Sequence, residues 1–282
     1  MMKKFIMTLI VLVMLQTAYA EHATHNQLTL GFMPYLASQK LLKKYQPLAD
    51  YLSKELHAEV VISVAKDYKS HLEQTGRDEL DISFLGGSPY VVITEKYGPK
   101  PLLVRYEFNN IPHFRSVFFT RNNSKINSIS DLKGKKVVFG SKKSTLSTQV
   151  PYFMLMQAGL TSDDLSLSHL NNHENVIIST LLGEYDAGAS SEEVFKESES
   201  KGLRAIAYSP YLSTHVFVTS SKMDKKLQTK IKNALLKLNK EPQGLNVLKS
   251  IGPSLTGFVN VNDSDYNLLR GILEKVLPEL EK

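Results

Sequence analysis

Short β-rich runs alternate with amphipathic helical stretches along nearly the whole chain, and this alternation leaves few architectures open: it is the pattern of an α/β protein whose helices pack on largely parallel sheets. Residues 27–33 (QLTLGFM) read as a first strand. A helix follows over 38–56, where Leu41, Leu42, Tyr45, Leu48, Leu52 and Leu56 recur at helical spacing. Next come a strand over 59–64, a short helix from about residue 67, and a strand over 80–85 that stops at Gly86-Gly87-Ser88-Pro89. There Ser88 reads as a helix cap and Pro89 as the first helical residue. Further strands are expected over 136–139, 165–170, 185–189 and 203–208, with helices after Thr145, after His173 and from about Ser191. Beyond Ser220 the chain reads as helical, with amphipathic stretches over 225–238 and 265–276. Two β-rich segments, 114–121 and 214–220, read as crossovers that bound an inserted unit. The expected organisation is therefore two lobes, 26–112 plus 218–282 and the inserted 113–217, around a cleft of the kind that binds ligands at strand carboxyl ends.

The ends and the composition narrow the setting. Residues 1–20 read as a secretory signal peptide, with Lys3 and Lys4 ahead of an apolar run to Leu15 and an Ala18-Tyr19-Ala20 cleavage site. That run falls short of the roughly 20 residues a spanning helix needs. The chain contains no cysteine, which excludes disulfides, thiolate metal sites, a cysteine nucleophile and the lipid-bearing cysteine of a lipoprotein. A soluble periplasmic protein is the expectation. The formal charge of +6 drops to +4 without Lys3 and Lys4, and the basic residues are mixed with acidic ones. This speaks against a nucleic-acid surface and for a small anionic ligand. The 8 histidines are scattered without ligand spacing, so neither a metal nor a cofactor is expected.

One stretch carries chemistry. Phe139-Gly140-Ser141-Lys142-Lys143-Ser144-Thr145-Leu146-Ser147-Thr148 takes a β-type run into a hydroxyl-rich loop that opens an apolar helix. The first N–H groups of a helix lack intrahelical partners and sit at the positive end of its dipole, so flanking hydroxyls complete an oxyanion cradle. Ser144 and Thr145 are thus candidate ligand contacts; the alternative is that one of them simply caps the helix. A triad of Ser144, His173 and Glu192 is the enzymatic alternative, but the chain has no GxSxG elbow and no enzyme is expected.

Several separated motifs stand in a recognisable order: LTLGFMPY, YQPLADYLSKELHAEVV, Asp67-Tyr68, LDISFLGGSPYVV, DLKGKKVVFGSKKSTLSTQVP, NNHENVIISTLLGEYDAGA and Ser209-Pro210. Through them the chain resembles the periplasmic solute-binding proteins of phosphonate, phosphite and phosphate ABC transporters. The resemblance implies the two-lobed type II periplasmic binding protein fold, each lobe a mixed sheet flanked by helices, joined by two hinge strands. It implies a monomer that delivers its ligand to an inner-membrane permease. A sensor docking on a membrane kinase or cyclase, and a binder of another organic anion such as a sulfonate, remain alternatives.

Carried over by position, the family's hydroxyl pair falls on Ser144 and Thr145 and its helix-head histidine on His173, where a dianion would favour the protonated imidazole. Tyr68 matches a tyrosine reaching the ligand from the first lobe; the alternative is a packing aromatic. Gly86, Gly87 and Ser88 match a turn lining the first-lobe face, with Tyr35 and Tyr90 near it. Glu192 and Glu193 match an acidic position that favours protonated phosphoryl oxygens, or else are first-turn acids complementing a helix dipole. Two positions depart from the aminophosphonate-binding pattern: His215 stands for an acidic residue and Phe114 for a tyrosine.

Overall fold

The computed structural model describes residues 27–280. The expected signal peptide, His22 and His25 lie outside the described residues. In chain order the structure begins with β1 (Gln27–Phe32), α1 (Ser38–Leu56), β2 (Glu59–Val64), α2 (Tyr68–Gly76), β3 (Ile82–Leu85), α3 (Gly87–Tyr97) and β4 (Leu102–Phe108). It continues through β5 (His113–Phe114), β6 (Ser116–Arg121), β7 (Lys136–Phe139), α4 (Val150–Gln157), β8 (Ser166–His169), α5 (His173–Leu182), β9 (Ala187–Ser191), α6 (Glu192–Lys196) and β10 (Leu203–Tyr208). The last part holds β11 (Leu212–Ser213), β12 (Val216–Thr219), α7 (Lys225–Lys237), α8 (Pro242–Ile251), β13 (Leu255–Val259) and α9 (Asn267–Leu280).

These strands form two main sheets, ordered β13-β4-β12-β3-β1-β2 and β10-β6-β9-β7-β8. Each is mixed rather than largely parallel. β1 runs parallel to β2 and β3, and β7 to β8 and β9, but β12 runs antiparallel to β3 and β4, and β6 antiparallel to β9 and β10. The chain leaves one sheet and returns to it along these reversed strands. Between the sheets, β5 and β11 pair as a short antiparallel ribbon, Leu212 opposite Phe114 and Ser213 opposite His113. The crossings thus fall at residues 113–114 and 212–213, at or just ahead of the segments 114–121 and 214–220, and most of each segment is a strand of the sheet it enters.

α1 shows why the helices sit where they do. Its apolar residues Leu41, Tyr45, Leu48, Leu52 and Leu56 are buried at spacings of three and four, and they pack with residues of α7 and α8 into the core of the first sheet. Each such side chain contributes roughly 1.5–3 kcal/mol by leaving water. The helix stops at His57, which takes a left-handed conformation (φ 55°) and donates its N–H to the Ser53 carbonyl. A second apolar cluster spans both sheets: Leu269, Ile272 and Val276 of α9 join Val91 of α3, Leu155 of α4 and Phe118 of β6.

Two expectations change. α3 begins at Gly87 with Gly86 as its cap, so Ser88 and Pro89 already lie inside the first turn. A side chain at Gly87 would meet Leu269 Cδ2 at 2.6 Å, so this glycine serves the packing of α9 on α3. The chain beyond Ser220 is not wholly helical either: β13 forms the outer edge beside β4.

Candidate functional site

β3 and β7 end on facing sides of the gap between the sheets, and the segments that follow them make the site. After β7 the chain turns through Gly140, whose N–H donates to Ser147 Oγ at 2.9 Å; a Cβ there would sit 2.6 Å from that oxygen, so only glycine fits. Residues Thr145–Gln149 then form a π-helical turn before α4, capped by Ser144, whose Oγ accepts the Ser147 N–H at 3.3 Å. The cap alternative and the site alternative coincide in one residue. The same Ser144 hydroxyl lies 3.2 Å from His173 Nε2 and also hydrogen-bonds Tyr68 from the other lobe.

The proton positions follow from the partners. The Ser191 backbone N–H donates to His173 Nδ1 at 3.1 Å, so Nδ1 carries no proton and Nε2 does. Ser190 Oγ lies 3.0 Å from the same Nδ1 and completes its environment. Burial lowers the His173 imidazole from 6.5 to about 4. It is therefore neutral and donates through Nε2–H; the imidazolium is the form that a bound dianion would favour. Ser144 Oγ, accepting from Nε2–H and from Ser147 N–H, gives its proton to Tyr68, which leaves the phenol's own proton for a guest. Thr145 is arranged alike. Its Oγ1 accepts the Ser88 N–H across the cleft at 2.9 Å, so its proton also points elsewhere. The Tyr68 and Thr145 hydroxyl protons, both on neutral groups, are left for a guest, while the His173 Nε2–H is taken up by Ser144 Oγ beside them.

That gap is a cavity of about 110 Å³ lined by Tyr68, Gly86, Ser144, Thr145, His173 and Glu193, with Tyr35, Phe114 and His215 on its further walls. A water fills on the order of 10–15 Å³ of such space, so the guest has few heavy atoms. Four residues expected at the site stand elsewhere. Glu192 forms a two-pronged pair with Arg115 (2.7 and 2.8 Å), and that guanidinium lies 4.0 Å from the Tyr208 ring centroid. The Tyr90 hydroxyl donates to Asp263 at 2.7 Å. Gly87 packs under α9, and Ser88 reaches the site only through its backbone N–H. Among the described residues no group of three or more His, Cys, Asp and Glu is placed to hold a metal ion.

Residues 30–266 match the family model described as ABC transporter, phosphonate, periplasmic substrate-binding protein. The chain belongs to this phosphonate-binding family. Among relatives, a probable ABC transporter phosphite binding protein, PhnD1, of Prochlorococcus marinus is 26% identical over 61% of this chain and 60% of its own length. The aligned region thus spans well under two thirds of that protein. A phosphate-import protein, PhnD, of Mycolicibacterium smegmatis is 24% identical over 88% of this chain and 85% of that one. In structure, Prochlorococcus marinus PhnD1 in complex with methylphosphonate superposes with a TM-score of 0.82 at 20% identity, covering 90% of this chain and 99% of the other. The fold is that of the two-lobed phosphonate-binding family.

Several lining residues carry no signal in the sequence. Lys44, which enters the cleft from α1, is one of them, while Glu193 of α6 stands at the acidic position that the resemblance implies. Burial raises the Glu193 carboxyl and the Lys44 charge lowers it, an opposition that marks the two as facing partners. One turn away, Lys40 Nζ bonds Glu174 at 2.9 Å, again from α1 to the other lobe. In sequence both lysines belong to an ordinary polar helix face, and only the opposing lobe gives them a role.

Proposed function

We propose that this protein captures a small phosphorus oxyanion, a phosphonate, phosphite or phosphate, in the periplasm and hands it to an inner-membrane ABC permease. The observation that carries the reading is the pair of neutral donors beside Ser144, the Tyr68 and Thr145 hydroxyls, drawn one from each lobe and held in place by the Ser144–His173 hydrogen bond and the Ser88 N–H. An anion bridging them ties the lobes together because its donors come from both sides, and Lys44 lines the same cleft. Closure follows the ligand only through such differential contacts. Glu193 adds selectivity: its carboxyl, pushed up by burial, accepts a hydrogen bond from a protonated phosphoryl oxygen and repels a fully ionised sulfate. No catalytic step is assigned to Ser144, since His173 Nδ1 is engaged by a backbone N–H rather than by a carboxylate that would support a general base.

Thermal shift and calorimetry with methylphosphonate, phosphite, phosphate, sulfate and ethanesulfonate test the reading. At least one phosphorus anion should raise the melting temperature by mass action while sulfate does not. Equal stabilisation by sulfate, or no response to any phosphorus anion, refutes it.

A further inference from the structure

The turn that presents Ser144 and Thr145 has a gap in its own hydrogen bonding. Between Thr145 and Gln149 the ladder is π-helical, each N–H reaching five residues back: the Gln149 N–H donates to the Ser144 carbonyl at 3.0 Å and the Val150 N–H to the Thr145 carbonyl. The next carbonyl in the ladder, that of Leu146, would be served by residue 151. That residue is Pro151, which has no N–H. Leu146 is buried, and a buried carbonyl without a donor is costly. The missing donor comes from the start of β6. Ser116 Oγ lies 2.6 Å from the Leu146 oxygen and 3.4 Å from the Ser190 oxygen, so its proton goes to the nearer of the two.

This bond reaches the anion donors through a single peptide unit. The Leu146 carbonyl and the Ser147 N–H belong to the same planar group, so holding the oxygen fixes the direction of the N–H. That N–H donates to Ser144 Oγ at 3.3 Å, and Ser144 in turn hydrogen-bonds Tyr68 of the other lobe. From Ser116 to Tyr68 every donor points the same way, an arrangement in which hydrogen bonds polarise and strengthen one another. Ser116 is itself buried and fixed: its N–H donates to Ser209 Oγ at 2.9 Å, and its carbonyl accepts the Ser209 N–H at 3.0 Å. Ser209 lies just ahead of β11, so the pair stands where both crossing segments meet the second sheet. Ser116 is not one of the residues lining the cleft.

We propose that Ser116 is a positioning residue for anion binding, acting on Ser144 and Tyr68 through the Leu146–Ser147 peptide that Pro151 leaves without a backbone donor. The inference rests on the oxyanion reading above and adds a residue that touches no ligand. The test is calorimetry of the parent with methylphosphonate, phosphite and phosphate, then of each variant with the tightest of the three, melting temperatures being read alongside. Ser116→Ala should lower affinity about three- to tenfold, the span of one neutral hydrogen bond. Ser116→Cys, a weak donor of nearly the same shape, should lose less, and it carries the comparison should Ser116→Ala not fold. Thr120→Val is the control. It deletes an equally short bond at the far end of β6, from Thr120 Oγ1 to the Asp186 carbonyl at 2.6 Å, so it should lower the melting temperature yet leave affinity within about twofold. Adding Pro151→Ala to Ser116→Ala offers the Leu146 carbonyl a backbone N–H and should recover most of the loss. Unchanged affinity in the Ser116 variants, an equal loss in Thr120→Val, or a loss that Pro151→Ala does not relieve overturns the proposal and leaves the oxyanion reading standing. If none of the three anions binds the parent, that reading falls and this one with it.

Discussion

At the level of single residues, the site depends on which donors are already occupied. Ser144 Oγ joins His173, Tyr68 and the Ser147 N–H, so Ser144→Ala removes the junction that orients the others. Losing a hydrogen bond to a charged ligand costs about 1.5–3 kcal/mol, and calorimetry of Ser144→Ala with methylphosphonate should show an affinity loss of roughly one to two decades. Glu192→Gln provides the contrast. Its carboxylate is bound to Arg115 and lies off the cavity, so affinity should stay within about twofold, by the near-additivity of separate sites. An equal loss in both variants contradicts the geometry. That Ser144, Thr145 and His173 line the cleft was legible only through the family motifs, since hydroxyls and polar residues at helix starts serve equally well as caps. The choice between Glu192 and Glu193 was not. Adjacent residues of a helix point about 100° apart, and here the direction is decided by Arg115, 77 positions earlier in the chain.

At the level of elements, α1 acts as one half of an electrostatic clasp. Lys40 and Lys44, four residues apart and so on one face, oppose Glu174 at the start of α5 and Glu193 at the start of α6. The Lys40 pair is exposed, with 60% and 36% of the two side chains in solvent, so it contributes at most about 1 kcal/mol and is screened by salt. Lys40→Ala should therefore weaken ligand binding by less than about fivefold at low ionic strength, and the difference should vanish near 1 M salt. Titrations at the two salt concentrations check this; a deficit unchanged by salt means the lysine acts through packing instead. The elements read best from sequence were α1 and β2, where periodicity is long or β-branched residues dense. β13 escaped because its run LTGFV holds Gly257 and follows a helical pattern. Its strand state is set by β4, which is about 150 residues earlier in the chain and supplies its sheet partners.

Across the whole molecule, burial of neutral histidines ties stability to pH. His71, His173 and His215 are lowered from 6.5 to about 4, 4 and 3 respectively, each first of all by desolvation. The unfolded chain binds these protons below about pH 6.5 and the folded chain does not, so stability is complete above that point. It falls as pH drops toward 4, by up to about 1.4 kcal/mol per pH unit for each histidine. The melting temperature should be lower at about pH 5 than at about pH 7.5, and His71→Gln should reduce that drop, since its Nε2 serves only the Phe84 carbonyl at 2.9 Å. A flat profile would mean these rings are protonated in the folded state. The two-lobed arrangement and the mixed sheets were readable through the motif order and the family resemblance it carries, whereas the alternation alone suggested largely parallel sheets, because hydrophobic patterning does not encode which way a returning strand runs.

The account stands or falls on where the anion sits. A crystal structure of the protein with methylphosphonate should place the phosphonate oxygens within about 2.5–3.2 Å of Tyr68 OH and Thr145 Oγ1, bridging the lobes. A phosphonate bound outside the cleft, or inside it with those two hydroxyls turned to other partners, contradicts the account.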